Sequence, residues 1–248
     1  MSFTGKVAVV TGGSSGMGAA TVKALASAGA QVNLIDIDRK GAEGIAQETG
    51  SEVFIGDVSN SEFCDLTINS IVDEQGQIDI LVNAAGIILR ADALETNDDN
   101  WKRIMEVNVD GVFFMCRSTL RHMVNKKSGV IVNFGSIWGN VAGSGVTAYC
   151  VSKGAVHQLT KALALEHAED GIRVNAVAPG EVNTPMIKSG REKPPTVDEL
   201  QDLADATIPI KRLAEPEEIA EVVLFLASER SSYMTGSIVP VDAGYTAR

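Results

Sequence analysis

Cysteine is scarce in this chain, with only Cys64, Cys116 and Cys150 among 248 residues. They are odd in number and scattered over apolar or helical stretches. No disulfide framework or metal site is expected, and a reducing, cytoplasmic setting is. Positive charge is also short: 21 Lys and Arg face 32 Asp and Glu, a net −11. That balance argues against nucleic acid and anionic membranes as partners. Long apolar runs are missing as well. Hydrophobic residues make up 45% of the chain, yet no stretch approaches the ~18 consecutive apolar residues of a membrane span. Met1-Ser2-Phe3-Thr4-Gly5 leads directly into a β-branched run and is expected to leave no room for a signal peptide. The three histidines, His122, His157 and His167, fall at unrelated positions in predicted helices and read as surface or core residues.

What is present is a regular alternation. Apolar runs at 6–11, 31–36, 52–56, 79–83, 129–134, 172–178 and 237–241 read as strands. Segments 17–28, 39–48, 61–75, 98–125, 147–169 and 216–228 read as helices. Strands and helices of these lengths, alternating without a linker, predict one α/β domain over 1–248. Its core would be a doubly wound parallel sheet of about seven strands with helices on both faces. The stretch 184–209 breaks the rhythm and predicts a long polar loop, the kind that is usually functional or disordered.

Two local patterns carry chemistry. The run Lys6 to Thr11 is followed by Gly12-Gly13-Ser14-Ser15-Gly16-Met17-Gly18 and then by an alanine-rich helical stretch. Strand, glycine turn and helix are the context of a dinucleotide site: glycines admit a pyrophosphate to the backbone, and the helix N-terminus favours its charge. The spacing, Gly-x-x-x-Gly-x-Gly, differs from the common Gly-x-Gly-x-x-Gly. Farther on, Tyr149 and Lys153 stand four residues apart, on one face of a helix. A free tyrosine titrates near ~10, too high for a base in neutral water; a cation beside it favours the phenolate. Ser136 follows the apolar run Val130 to Phe134, so its hydroxyl falls at a strand's carboxyl end, where open α/β sheets bind ligands.

Thr11-Gly12-x-x-x-Gly16-x-Gly18, Asn83-Ala84-Ala85-Gly86, Asn108, Ser136, Tyr149-x-x-x-Lys153 and Pro179-Gly180 occur in this order. Together they resemble the short-chain dehydrogenase/reductase family, in its compact branch of Rossmann-type domains, from Lys6 to the C-terminus. The resemblance implies hydride transfer between a nicotinamide cofactor and an alcohol or ketone. In that reading Tyr149 is the general acid/base and Ser136 donates a hydrogen bond to the substrate oxygen. Lys153 lowers the tyrosine's pKa and binds the cofactor ribose, and Asn108 holds a water that links Lys153 to solvent. Gly12, Ser14, Ser15, Gly16, Met17 and Gly18 would cradle the pyrophosphate. Asp57 and Val58 would bracket the adenine. Backbone at Val182 and the Thr184 hydroxyl, after Pro179-Gly180, would hold the carboxamide. The family's usual Asn-Asn-Ala-Gly has Ala84 in second place here, with Asn83, Ala85 and Gly86 retained, and its usual Gly-Gly near the C-terminus is Ala243-Gly244. By the same resemblance 184–209 would be a mobile lid over the substrate.

Cofactor choice follows from charge. The second strand ends at Asp36, with Ile37 after it, some twenty residues past the glycine turn. A carboxylate there accepts hydrogen bonds from ribose hydroxyls and repels a 2′-phosphate. The turn has no Lys or Arg, and Arg39 is preceded by Asp38. NAD is therefore expected over NADP.

By analogy, Ile88, Leu89, Arg90, Ile137, Trp138, Gly143, Val146, Met186 and Ile187 surround the nicotinamide. They describe a mainly apolar pocket for a small-molecule alcohol or ketone, with Arg90 as an anion clamp. Reduction of a 3-oxoacyl thioester and a non-catalytic NAD sensor remain alternatives, and so does either direction of reaction. Finally, the helices at 98–125 and 147–169 are apolar around much of their circumference. Such helices are buried on more than one side, which predicts a homotetramer.

Overall fold

The computed structural model describes residues 1–191 and 193–247. Seven strands make one sheet: β1 Val7–Thr11, β2 Gln31–Asp36, β3 Glu52–Ile55, β4 Ile80–Asn83, β5 Gly129–Phe134, β6 Ile172–Pro179 and β7 Ile238–Val241. Their order is β3-β2-β1-β4-β5-β6-β7, and every pair is parallel. The expected fold class is correct. Successive side chains of a strand point to opposite faces: Val7 and Val9 enter one core, Ala8 and Val10 the other. Helices cover both faces, so strand residues are mostly apolar instead of alternating with polar ones, and the buried asparagines Asn33, Asn83, Asn133 and Asn175 are hydrogen-bonded.

One face is covered by α1 Gly16–Ser27, α2 Arg39–Thr49 and α8 Pro216–Ala227, with Val22, Leu25, Ala42, Ile219 and Val223 facing the sheet. The other is covered by α3 Ser61–Gln75, α5 Gly111–Lys126 and α6 Thr147–His167, through Ile68, Ile71, Met115, Met123 and Val156. The chain leaves β1 towards β2 on one side, while β4 and its successors continue on the other. The resulting switch point between β1 and β4 opens a crevice at the strands' carboxyl ends.

Three expectations need correction. The helix expected over 98–125 is interrupted. α4 Asp98–Met105 passes into a π-helical turn, Glu106–Asp110, before α5 begins. There the Gly111 N–H donates to the Glu106 carbonyl, five residues back. The helix expected over 147–169 likewise stops at His167 and tightens into a 3-10 turn, Ala168–Asp170. The polar loop expected over 184–209 holds a 3-10 turn, Pro185–Lys188, and a helix, α7 Val197–Thr207; Glu192 lies outside the described residues. Thr196 and Glu199 form a reciprocal capping box at the start of α7, while Ala204 and Ile208 are buried. The Thr-x-x-Glu signature was present in the sequence. Burial of one apolar stripe outweighs the polarity of the segment.

Candidate active site

The glycine turn closes the crevice where β1 meets β4. Gly12 has φ +67°, and a Cβ there would stand 2.6 Å from the Ala85 amide nitrogen. Only glycine allows the two strand ends to approach this closely. A Cβ at Gly18 would overlap the Gly12 carbonyl oxygen. α1 begins at Gly16 with no side-chain cap from Ser15 and no acidic residue in its first turn. Its leading N–H groups therefore remain available to an anion. The cleft, about 310 Å³ and open to solvent, is lined by Gly12, Ser14, Ser15, Gly16, Met17, Gly18, Asp36, Ile37, Asp57, Val58, Ala84, Ala85, Gly86 and Thr184. Uncapped helix, absent Cβ atoms and terminal carboxylate suit a dinucleotide.

At the end of β2, the Asp36 carboxylate accepts the Ser14 N–H at 3.0 Å and the Asp38 N–H at 3.0 Å. The guanidinium of Arg103 also reaches this cleft, a residue the motifs did not single out. It is committed to carboxylates: 2.7 Å to Asp57 and 3.8 Å to Glu106. Arg39 pairs with Glu43 at 3.5 Å.

Beside the cleft, and sharing Met17, Thr184 and Met186 with it, is a second pocket. Its lining includes Ile88, Arg90, Ser136, Ile137, Trp138, Tyr149, Pro179, Gly180, Glu181, Val182 and Ile187. Ser136 follows β5 and caps the 3-10 turn Ile137–Gly139, its Oγ accepting the Trp138 N–H at 3.2 Å. With Oγ so engaged as acceptor, its proton is free to donate. The Ser136 N–H donates to His157 Nε2 at 3.3 Å, and His157 Nδ1 meets Asn140 Oδ1 at 3.1 Å. This buried histidine on α6 steadies the serine and pushes its own charge out, burial lowering its pKa to about 4. Its partners lie 17 and 21 residues away, so no local spacing marked it.

Tyr149 stands in the first turn of α6, and Lys153 one turn later, with its Nζ 5.7 Å from the tyrosine ring centroid. The Lys153 ammonium donates to the Phe134 carbonyl at 2.7 Å. Burial brings its pKa down to about 8. Burial also pushes the Tyr149 phenol up to about 12, Ser136 favouring the phenolate against it. Within the protein alone, desolvation thus outweighs the lysine's expected pull on the tyrosine.

Asn108 sits in the π-helical turn. Its Oδ1 accepts the Ile87 N–H at 2.8 Å; its Nδ2 donates to the Ile87 carbonyl at 2.9 Å and to Ser152 Oγ at 3.0 Å. A Cβ on Gly86 would lie 3.3 Å from Asn108 Oδ1 and 3.6 Å from Lys153 Nζ, so Gly86, Asn108 and Lys153 meet behind Tyr149. Neither Asn108 nor Lys153 lines the two pockets, and Asn83, Val146, Leu89 and Gly143 do not line them either. Asn83 is buried in a polar ladder, donating to Asn133 Oδ1 at 2.9 Å, because its position on β4 faces α5. Val146 is enclosed with Ile104, Ala148 and Tyr149, where it supports the tyrosine from behind. Leu89 lies against this same cluster, and Gly143 packs on the Trp138 ring.

A family model described as enoyl-(acyl carrier protein) reductase matches residues 12–246, and the chain belongs to this short-chain dehydrogenase/reductase family of oxidoreductases. It is 43% identical to galactitol 2-dehydrogenase (L-tagatose-forming) of Cereibacter sphaeroides, over 98% of this chain and 95% of that one. It is 38% identical to meso-2,3-butanediol dehydrogenase of Serratia marcescens, over 100% and 97%. Among solved structures, that of gox2181 superposes with a TM-score of 0.93 at 39% identity, over 100% of this chain and 98% of the other.

Proposed function

We propose that this protein interconverts a secondary alcohol and a ketone by NAD-dependent hydride transfer, with Tyr149 as general acid/base. The carrying observation is that Ser136 and Tyr149 line one pocket, which shares Met17, Thr184 and Met186 with the cleft suited to a dinucleotide. Both curated relatives named above are dehydrogenases of polyhydric alcohols by name, which supports the reading. When bound, the nicotinamide supplies or accepts the hydride, and its oxidised ring carries positive charge.

In oxidation Tyr149 takes the hydroxyl proton of the alcohol; in reduction it gives that proton to the forming alkoxide. The Ser136 proton donates to the substrate oxygen and stabilises charge as it develops. Lys153 holds its ammonium beside the tyrosine, and Asn108 fixes Ile87 in the loop after β4 that leads into the pocket. Asp36 takes the adenosine ribose hydroxyls; with Arg103 and Arg39 already paired, no free guanidinium among the described residues stands ready for a 2′-phosphate. That is the support for NAD. Pro179, Gly180, Val182 and Thr184 form the carboxamide side of the site, and Asp57 with Val58 the adenine side.

The test is turnover of an alcohol and ketone panel with NAD and NADH, followed at the nicotinamide absorbance. Absence of turnover on every member would defeat the reading.

The same proposal places the enzyme in a cytoplasm; no described helix is long and apolar enough to cross a membrane. A homotetramer is supported by exposed apolar residues on α5 and α6, Phe113 and Leu165, the latter 82% exposed. Phe113 borders an apolar groove that includes Leu120, Val124 and Leu163. Light scattering should report about four times the 26.1 kDa chain, and a monomer at micromolar concentration would refute it.

A further inference from the structure

The proposed chemistry leaves one ionisable group in the substrate pocket unused. Glu181 lines that pocket together with Ser136, Tyr149 and Trp138. Its backbone is pinned: the Glu181 carbonyl accepts the Ala214 N–H at 3.0 Å, and the Asn183 N–H donates to the Ala214 carbonyl at 2.9 Å. Its carboxylate has neither a hydrogen bond nor an ion pair among the described residues. The group is largely withdrawn from water, which pushes its pKa up, while Arg90 and Arg191 hold it down. Arg90 lines the same pocket. Its Nε is spent on the Ser189 carbonyl at 3.0 Å, and its charge, like that of Glu181, is felt at the Tyr149 phenol.

The pocket therefore places an acceptor-only carboxylate and a donor-only guanidinium near the tyrosine. The remaining wall, Ile88, Ile137, Trp138, Met186 and Ile187, is mostly apolar. A hydrocarbon alcohol would cover both charged groups and satisfy neither. An anionic substrate would satisfy Arg90 but set like charge against Glu181. A hydroxyl donates and accepts, and two or three hydroxyls beside the reacting carbinol answer both groups together. We infer that the substrate is a neutral polyol or its keto form, and that Glu181 and Arg90 determine this specificity by binding hydroxyls adjacent to the reacting carbon. The inference rests on the alcohol–ketone reading proposed above and names the substrate class of that site.

A site that supplies partners for substrate hydroxyls discriminates strongly against analogues that lack them. The experiment compares kcat/KM, with saturating NAD, for pentitols and hexitols of every available configuration against 2-pentanol and an anionic 3-hydroxyacid. Wild type should favour at least one polyol over 2-pentanol by tenfold or more. Glu181→Ala should lower kcat/KM about 30-fold more on that polyol than on 2-pentanol, the worth of one charge-assisted hydrogen bond, and mainly through KM. Glu181→Gln keeps the side chain's size and serves if the alanine variant does not fold; it should show the same selective loss. Preference of wild type for 2-pentanol or the acid, or an equal loss on both substrates in the variants, overturns the inference. Turnover of simple alcohols without polyol preference would overturn only this inference. Absence of turnover on the whole panel would defeat the underlying reading as well.

Discussion

Replacing Asp36 with alanine perturbs the cofactor cleft in three ways that can be sized. First, the ribose hydroxyls lose an ionised acceptor; hydrogen bonds to charged groups are worth about 1.5–3 kcal/mol each. Half-exposure of the β2 end argues for the low figure, so NAD should lose about 10- to 30-fold in kcat/KM. Second, repulsion of a 2′-phosphate disappears. A unit charge pair ~6 Å apart at an effective dielectric of ~20 is worth about 3 kcal/mol before salt screening. Third, the Ser14 and Asp38 amides, which now donate to the carboxylate at 3.0 Å each, become free donors for an anion. The three effects act in the same direction on the ratio of the two cofactors. The NAD-to-NADP ratio of kcat/KM should fall by at least about 100-fold, or about 2.7 kcal/mol, and adding Ile37→Arg should carry it further. Initial rates with each cofactor at fixed low ionic strength provide the assay, with thermal melts to show that the variant is folded. A ratio that moves less than threefold would show that Asp36 does not face the ribose, and the assignment of NAD would fall with it.

Tyr149→Phe should abolish turnover while NADH still binds, since only the titrating hydroxyl is removed; retention of a tenth of the wild-type rate would sink the assigned role. Because burial pushes the phenol up to about 12, oxidation, which uses the phenolate, should rise with pH through the neutral and alkaline range, and reduction, which uses the phenol, should fall only at its alkaline end. Lys153→Met should displace the oxidation limb to still higher pH; an unmoved limb would separate the lysine from the tyrosine. At the opposite end of the sheet, Asp79 is buried, yet Lys126, the Val7 N–H at 2.8 Å and Lys6 at 3.4 Å outweigh that burial and hold its carboxyl below the usual range. A carboxyl so depressed stabilises the fold above its unfolded pKa of about 4 and loses that contribution as the pH falls. Asp79→Asn should cost about 2 kcal/mol near neutrality, or about 4–8 °C in Tm, and flatten the acid side of the stability curve. Urea melts at pH 7 and at acid pH compare the two, and parallel curves for wild type and variant would contradict the assignment.

The fold was legible because most strands are short apolar runs and most helices carry a side-chain cap or a glycine stop, all local signals, although α5 and α6 have neither. The candidate site was legible where its chemistry is tied to sequence spacing: Tyr149 with Lys153, the glycines with the strand before them, Asp36 at the end of its strand. His157 was not, since its value lies in an amide 21 residues back that only the folded turn brings within 3.3 Å. Nor was Glu181, whose isolation from partners is a property of the pocket. Asn83 and Val146 show the converse error. Both sit at the right place along the chain, but the facing of β4 and the entry into α6 send their side chains inward. The break after Met105 also escaped notice, because the residues on either side of it have ordinary helical character.

That break makes the active site a measure of chain length. A π turn is one residue more than an α turn needs, so the five residues Glu106–Asp110 hold a stored insertion between α4 and α5. Removing any one of them, whatever its identity, would let the two helices run on as a single rod. The flanking helices would keep their faces, since the extra residue is absorbed within the wide turn, but Asn108 would lose the turn that holds it on Ile87. Substitutions at its exposed ends, Glu106 and Asp110, should be tolerated far better than a single-codon deletion, while the buried Asn108 must keep both its identity and its place.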